Sequence, residues 1–289
     1  MSVNVLETKQ LTYVYSKGTT YEIAAINDVN LSIEKGELVG VIGHTGSGKS
    51  TLIQHFNGIL KPTSGTVLLD GKDIWENKAK IRSVRFKVGI CFQYPEYQLF
   101  EETVYKDIAF GPKNMGMSED EIGKVIKETV RFVGLDECYL EKSPFDLSGG
   151  EKRRVAIAGV MAMRPEVLIL DEPCAGLDPK GRNTVLSLIK NYQEETKSTV
   201  IVVSHSMEDN SKIATKILVM NDSKLAFYDT VENVFSHAEE LRQMGLNIPA
   251  LTSLFLKLKE KGYNVRTNIY DIDSAKTELM ALLSGGAQK

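Results

Sequence analysis

The 289-residue chain reads as an α/β protein built around a largely parallel sheet. Three observations predict this. Apolar, mostly β-branched runs at 38–42, 88–92, 167–170 and 200–203 have the unbroken pattern of strands covered on both faces. Helical periodicity lies between them: Asp178 can cap a helix that opens on Pro179, and Val185, Leu188, Ile189 and Tyr192 then share one face. The composition is that of a folded domain, 42% hydrophobic and 25% charged with a net charge of −3. That balance excludes a disordered or fibrous chain and argues against a protein that mainly coats nucleic acid.

The elements follow in order. About 3–35, and again 65–71, the chain reads as short antiparallel strands and turns, an antiparallel β subdomain. From about 95 to 163 the pattern is mainly helical. Ser118-Glu119-Asp120-Glu121 is a capping box with acidic residues in the first helical turn, and the stretch reads as an inserted helical subdomain. Beyond about 232 the chain turns to amphipathic helix and a strand-like piece at 262–266, with 284–286 expected to fray. The expected division is a principal domain over 1–232 and a small C-terminal α/β extension over 233–289. No apolar run nears the roughly 18 residues needed to span a bilayer, and the first ten residues lack a signal-like apolar core. Cys91, Cys138 and Cys174 are widely spaced, with no CxxC pair, which suits a reducing compartment. A soluble, cytoplasmic protein is expected, free to dock on a membrane partner.

Gly43-His44-Thr45-Gly46-Ser47-Gly48-Lys49-Ser50 matches the Walker A phosphate loop, directly after the strand at 38–42 and directly before a helical pattern opening on Thr51. The order has a physical reason. Glycines let the backbone wrap so that several N–H groups face the phosphates, and the helix N-terminus adds partial positive charge. Lys49 would reach the β- and γ-phosphates and the Ser50 hydroxyl would coordinate Mg²⁺. The His44 side chain is expected to point outward.

The run 167–170 delivers Asp171 and Glu172 at its C-terminal end, where ligands sit in α/β sheets. Asp171 would hold Mg²⁺ and Glu172 would polarise an attacking water. Gln93 and His205 end two other strands; the first could bridge metal, water and a moving segment, the second could hydrogen-bond a γ-phosphate. In Leu147-Ser148-Gly149-Gly150-Glu151, Ser148 and Glu151 form a second capping box. Its glycines bare the backbone N–H groups at a helix start, a second anion site. One chain with two phosphate-binding helix starts suggests a site completed by another subunit.

Together these motifs resemble the nucleotide-binding subunit of ATP-binding cassette (ABC) transporters, a P-loop NTPase fold, over about 3–230. Ser148, Gly149 and Gly150 fall in its signature motif. Ala175-Gly176-Leu177-Asp178 resembles its D-loop, Gln93 its Q-loop glutamine and His205 its switch histidine. Tyr15 matches the aromatic that stacks on adenine, with Tyr13 an alternative one strand period away. Glu151 stands where the family more often has Gln, and Cys174 where Thr is usual. More narrowly, the segment 92–100, Glu102-Thr103-Val104 and Ala109-Phe110-Gly111-Pro112 resemble the ATPases of energy-coupling factor (ECF) transporters, and His44-Thr45 and Gln54-His55-Phe56-Asn57-Gly58 look more like the A′ ATPase than its A partner. The tail, with Val234-Phe235 and 245–249, is similar to that family's extension.

The resemblance implies ATP and Mg²⁺ as ligands and Glu172, His205 and Gln93 as catalytic residues. Ser50, Gln93 and Asp171 would lie at the metal. Tyr15, the loop Gly43, His44, Thr45, Gly46, Ser47, Gly48, Lys49, Ser50 and Thr51, and Ser148, Gly149 and Gly150 would bind nucleotide. It implies a second ECF ATPase as heterodimer partner, or a homodimer, held together by the tail. Transmembrane T and substrate-binding S subunits would complete the complex, with no nucleic acid, at the cytoplasmic face of the cell membrane. A related cobalt or nickel importer is the alternative. A soluble ABC ATPase acting on DNA or ribosomes fits less well, since such members carry coiled-coil insertions or two cassettes. A small-molecule kinase would leave 147–151 and His205 unexplained.

Overall fold

The computed structural model describes residues 3–284. Gly285 and Gly286, expected to fray, lie outside them. Among the described residues there are ten strands and eleven α-helices, with the strands that begin at Leu38, Val88, Val167 and Thr199 separated by helices as anticipated. The N-terminal layer is an antiparallel sheet of order β2-β1-β4-β5, made of β1 (Asn4–Tyr15), β2 (Ile23–Glu34), β4 (Ser64–Leu69) and the two-residue β5 (Lys72–Asp73). Its long strands mix buried and exposed side chains, alternating strictly only over Val29–Ile33 of β2, because one face meets the core.

The second sheet has the order β10-β9-β3-β8-β7-β6. Here β3 (Leu38–Ile42), β6 (Val88–Cys91), β7 (Val167–Asp171), β8 (Thr199–Val203) and β9 (Lys216–Asn221) run parallel, and β10 (Lys224–Thr230) turns back antiparallel on β9. Every residue of β3 and β8 is buried, which explains their unbroken apolar runs. The two sheets are tied where Asn27 N–H donates to Ser223 O at 2.7 Å and Ser223 Oγ donates to Ala24 O at 2.7 Å.

Helix α1 (Lys49–Phe56) follows β3 through the phosphate loop, and α2 (Ile81–Lys87) precedes β6. Between β6 and β7 lie α3 (Val104–Met115), α4 (Glu119–Phe132) and α5 (Gly149–Met161), the expected helical stretch. Both anticipated capping boxes form: Ser118 with Glu121 opens α4, and Ser148 with Glu151 opens α5. Ile122, Val125, Ile126 and Val130 line the buried face of α4, each contributing about 1.5–3 kcal/mol over an exposed position.

Helix α6 (Pro179–Thr196) is capped as predicted, Asp178 Oδ1 accepting from Gly181 N–H at 2.8 Å. Its core face differs by one residue. Leu186 is buried with Val185, Ile189 and Tyr192, while Leu188 is only half-buried. Residue 186 lies three before 189 on the same stripe, so the stripe is turned toward 186.

After α7 (Met207–Ile213), β9 and β10, the tail is helical: α8 (Val231–Ser236), α9 (Ala238–Gln243), α10 (Ala250–Glu260) and α11 (Ile272–Ser284). Val234, Phe235, Leu241, Leu246 and Ile248 pack with Ile217 and Val219 of β9. The strand-like piece expected at 262–266 forms no strand. Val265 instead sits in a small core with Phe255, Ile269 and Ala275, and the Arg266 N–H donates to Glu278 Oε1 at 2.8 Å, where a strand would need a backbone carbonyl. Among the described residues no helix is long and apolar enough to cross a membrane.

Candidate functional site

Strands β3, β6, β7 and β8 end on one side of the sheet, and their C-terminal ends gather the side chains that the motifs single out. There a cleft of about 410 Å³ is lined by Tyr15, Lys49, Ser50, Gln93, Asp171, Glu172 and His205, with Thr45, Gly46, Gly48 and Thr51 of the loop.

The loop is shaped by its glycines. Gly48 has φ +102° at the N-cap of α1, and a Cβ there would lie 2.4 Å from Ala25 O. Lys49 is 6% exposed, its Nζ donating to Gly43 O at 2.7 Å and His44 O at 2.9 Å. Burial lowers its pKa, partly offset by Glu172 and Asp171. Gly43, His44 and Ser47 support the loop without lining the cleft. Ser47 is fully buried with no partner for its hydroxyl. The His44 ring turns outward as expected, Nδ1 to Thr45 O at 2.8 Å and Nε2 3.6 Å from Asp222.

The two carboxylates differ in environment. Asp171 shares a hydrogen bond with the Ser50 hydroxyl, yet burial raises its pKa. Glu172 continues from β7 with φ +51°, a left-handed conformation rare for a side-chain-bearing residue. The surroundings impose it: Glu172 N–H donates to Val203 O at 2.9 Å and Glu172 O accepts from Ala175 N–H at 3.1 Å. Its Oε1 accepts from the His205 backbone N–H at 2.9 Å and lies 3.4 Å from His205 Nε2. Burial pushes the Glu172 pKa up to about 7, the range of a general base, although the His205 N–H pulls it down. Burial, with the Lys49 charge, lowers the pKa of the His205 imidazole at the cleft wall.

The donor set fits a hard divalent cation. Ser50 hydroxyl, Asp171 carboxylate and Gln93 amide supply only oxygen ligands on the cleft wall. Among the described residues no cluster of three or more His, Cys, Asp or Glu could form an all-protein metal cage.

Tyr15 is 39% exposed at the cleft rim, its hydroxyl 3.3 Å from Thr51 Oγ1. Tyr13 stands edge-on to it at 4.8 Å and to His55 at 4.8 Å, and so backs Tyr15 and takes no part in lining the cleft. Ile23, Ala24 and Ala25 of β2 complete the wall beside Tyr15. The motifs do not reveal them, because only the pairing of Tyr15 with Ile23 across β1 and β2 brings them there.

Ser148, Gly149 and Gly150 are exposed. Ser148 and Gly150 line a separate hollow of about 310 Å³ with Glu151, Leu177 and Asp178, away from the cleft. Glu151 accepts from the Ser148 hydroxyl and backbone N–H, which hold its pKa down at about 2. Glutamate therefore keeps the cap charged and intact in a position where the related motif has Gln. Cys174 is buried and unbridged.

Comparisons with known proteins agree with this geometry. A profile described as ABC transporter matches residues 26–175. The energy-coupling factor transporter ATP-binding protein EcfA2 of Clostridium tetani is 55% identical over 288 residues, 99% of each chain. That of Clostridium acetobutylicum is 53% identical over 279 residues, 96% of this chain and 98% of its own. The structure of cbiO1 from Clostridium perfringens, part of the ABC transporter complex cbiONQ, superposes with a TM-score of 0.75 at 38% identity, covering 90% of this chain and 98% of its own. A dimeric ATP-binding cassette in a post-hydrolysis state with ADP and Pi superposes at 0.70 with 29% identity, covering 78% and 98%. The chain belongs to the ABC transporter family, among its energy-coupling factor ATP-binding proteins.

Proposed function

We propose that this chain binds and hydrolyses ATP as a subunit of an energy-coupling factor importer. It would work at the cytoplasmic face of the cell membrane and power uptake of a vitamin or other micronutrient carried by membrane partners. What supports this reading is the convergence of Lys49, Ser50, Gln93, Asp171, Glu172 and His205 on one cleft beside Tyr15. The full-length relatives named as ECF ATP-binding proteins support it too, at higher identity than cbiO1.

The chain's groups divide the work. Tyr15 stacks on the adenine. Lys49 exchanges its bonds to the Gly43 and His44 carbonyls for the β- and γ-phosphates, and the amides of residues 46–51 bind the remaining oxygens. Ser50, Asp171 and Gln93 would hold Mg²⁺, which would supply positive charge to offset that of the phosphates. Glu172 takes a proton from the attacking water, and His205 holds its carboxylate and the γ-phosphate in register.

Ser148 and Gly150 lie off the cleft, so they serve the nucleotide of a facing subunit. ATP then closes the pair through charge-assisted contacts that hydrolysis removes. Exposed apolar residues support two further surfaces. Phe100, 58% exposed, lines a groove of about 340 Å³ with Leu99, Phe110 and Met163, and Tyr97, three residues earlier, is 84% exposed; this surface suits a membrane T subunit. Ile272 and Leu283 on the tail, each 76% exposed, suit pairing with the second ATPase. The test is purification of the native complex from membranes through this chain. Integral membrane subunits and a second ATPase should co-purify; a chain that leaves the membrane alone would contradict the assignment.

A further inference from the structure

Arg153 lies one turn into α5 and is absent from every motif above, yet only 4% of it is exposed. Its guanidinium forks onto Glu96, Nε donating to Oε2 at 3.0 Å and Nη2 to Oε1 at 2.7 Å. Glu96 sits in the single turn Pro95–Gln98 that follows Gln93 and leads into the exposed Tyr97–Phe100 edge. The remaining nitrogen, Nη1, donates to Pro173 O at 3.4 Å and to Ala175 O, the carbonyls one and three residues beyond Glu172. One side chain therefore fastens three segments: the edge expected to meet a membrane subunit, the helix whose start carries Ser148, and the loop that holds Glu172 at φ +51°.

A planar guanidinium can bond a carboxylate and two carbonyls at once, which a lysine ammonium cannot do in this geometry. A displacement of the 95–98 turn must either carry Arg153 with it or expose a buried charge. We infer that Arg153 and Glu96 form a latch that positions the loop after Glu172 and makes the rate of hydrolysis depend on the 95–98 turn. Arg153 does not line the cleft of Lys49 and Glu172; it is a positioning residue. The latch rests on the hydrolytic reading given above.

The test compares full-length wild type, Arg153→Met, Arg153→Lys and the double variant Glu96→Gln/Arg153→Met. Each is assayed for ATP turnover, ATP affinity, thermal unfolding and amide exchange. Arg153→Met alone leaves a half-buried carboxylate unpaired and loses stability; the double variant removes both charges and regains it. A latch predicts that kcat in the double variant stays at least about tenfold below wild type with Kd for ATP within about twofold. Arg153→Lys restores stability but not kcat. Exchange at the Ala175 and Leu177 amides rises about tenfold in the double variant. If kcat recovers together with stability, Arg153 is merely structural and the proposal is overturned. Unchanged exchange at Ala175 and Leu177 overturns it as well, whatever the turnover. A wild type that hydrolyses no ATP refutes the hydrolytic reading, while the exchange arm still decides the latch.

Discussion

Replacing Glu172 by Gln removes the one cleft carboxylate whose pKa burial raises to about 7. The consequence follows from its protonation. A general base acts only when ionised, so kcat/KM of the wild type should fall on the acid side with a midpoint near 7. Between pH 8 and pH 6 the ionised fraction drops from about nine-tenths to about one-tenth, roughly a tenfold loss. Glu172→Gln should lower kcat by on the order of 10²- to 10⁴-fold and abolish that acid limb, while ATP still binds. Stability moves the other way. The folded pKa lies above the ordinary glutamate value of 4.5, so ionisation penalises the native state, and the penalty is absent below about pH 4.5 and complete above about pH 7. The nucleotide-free variant should therefore unfold at a higher temperature than wild type at pH 8, with little difference at pH 4.5. The assays are steady-state hydrolysis from pH 5.5 to 9 and thermal unfolding at pH 4.5 and 8. An unchanged acid limb in the variant, or near-normal turnover with the partner present, would refute the assignment of Glu172 as base.

Three further outcomes are expected. Tyr15→Ala should weaken ATP binding roughly 5- to 150-fold by the scale of base–aromatic stacking, and Tyr15→Phe should restore most of it, as fluorescence titration would show. Ser148→Arg places a bulky cation at the exposed start of α5 and should abolish ATP-dependent dimerisation without changing ATP affinity of the single chain; light scattering with Glu172→Gln as background checks it. Changing Ile272 and Leu283 together to Glu, on the exposed face of α11, should leave unfolding nearly unchanged and weaken ATPase–ATPase association by at least about tenfold in sedimentation experiments.

What the sequence revealed and what it hid divide along the range of the interactions. The strand at 38–42, the phosphate loop and both capping boxes depend on neighbours within a few residues, so pattern alone located them. Glu172 and His205 were legible for the same reason, as polar residues ending apolar runs. Their mutual contact was not, because it needs β7 and β8 side by side. Ile23 and Ala24 entered the cleft through pairing of β1 with β2. Residues 262–266 have a strand's composition, but Glu278 takes the Arg266 N–H that a neighbouring strand would have needed. By sequence alone Arg153 is one more basic residue on a charged helix start. Its partner Glu96 is 57 residues away, and no local signal announces a buried pair across that distance.

The most direct test of the central claim is a structure of the Glu172→Gln complex with Mg²⁺ and ATP. The phosphates should lie against the amides of residues 46–51 and Lys49, the adenine on Tyr15, and Ser148 of this chain on the γ-phosphate bound by the facing subunit. Nucleotide bound elsewhere, or a closed complex in which Ser148 reaches no phosphate, would contradict it.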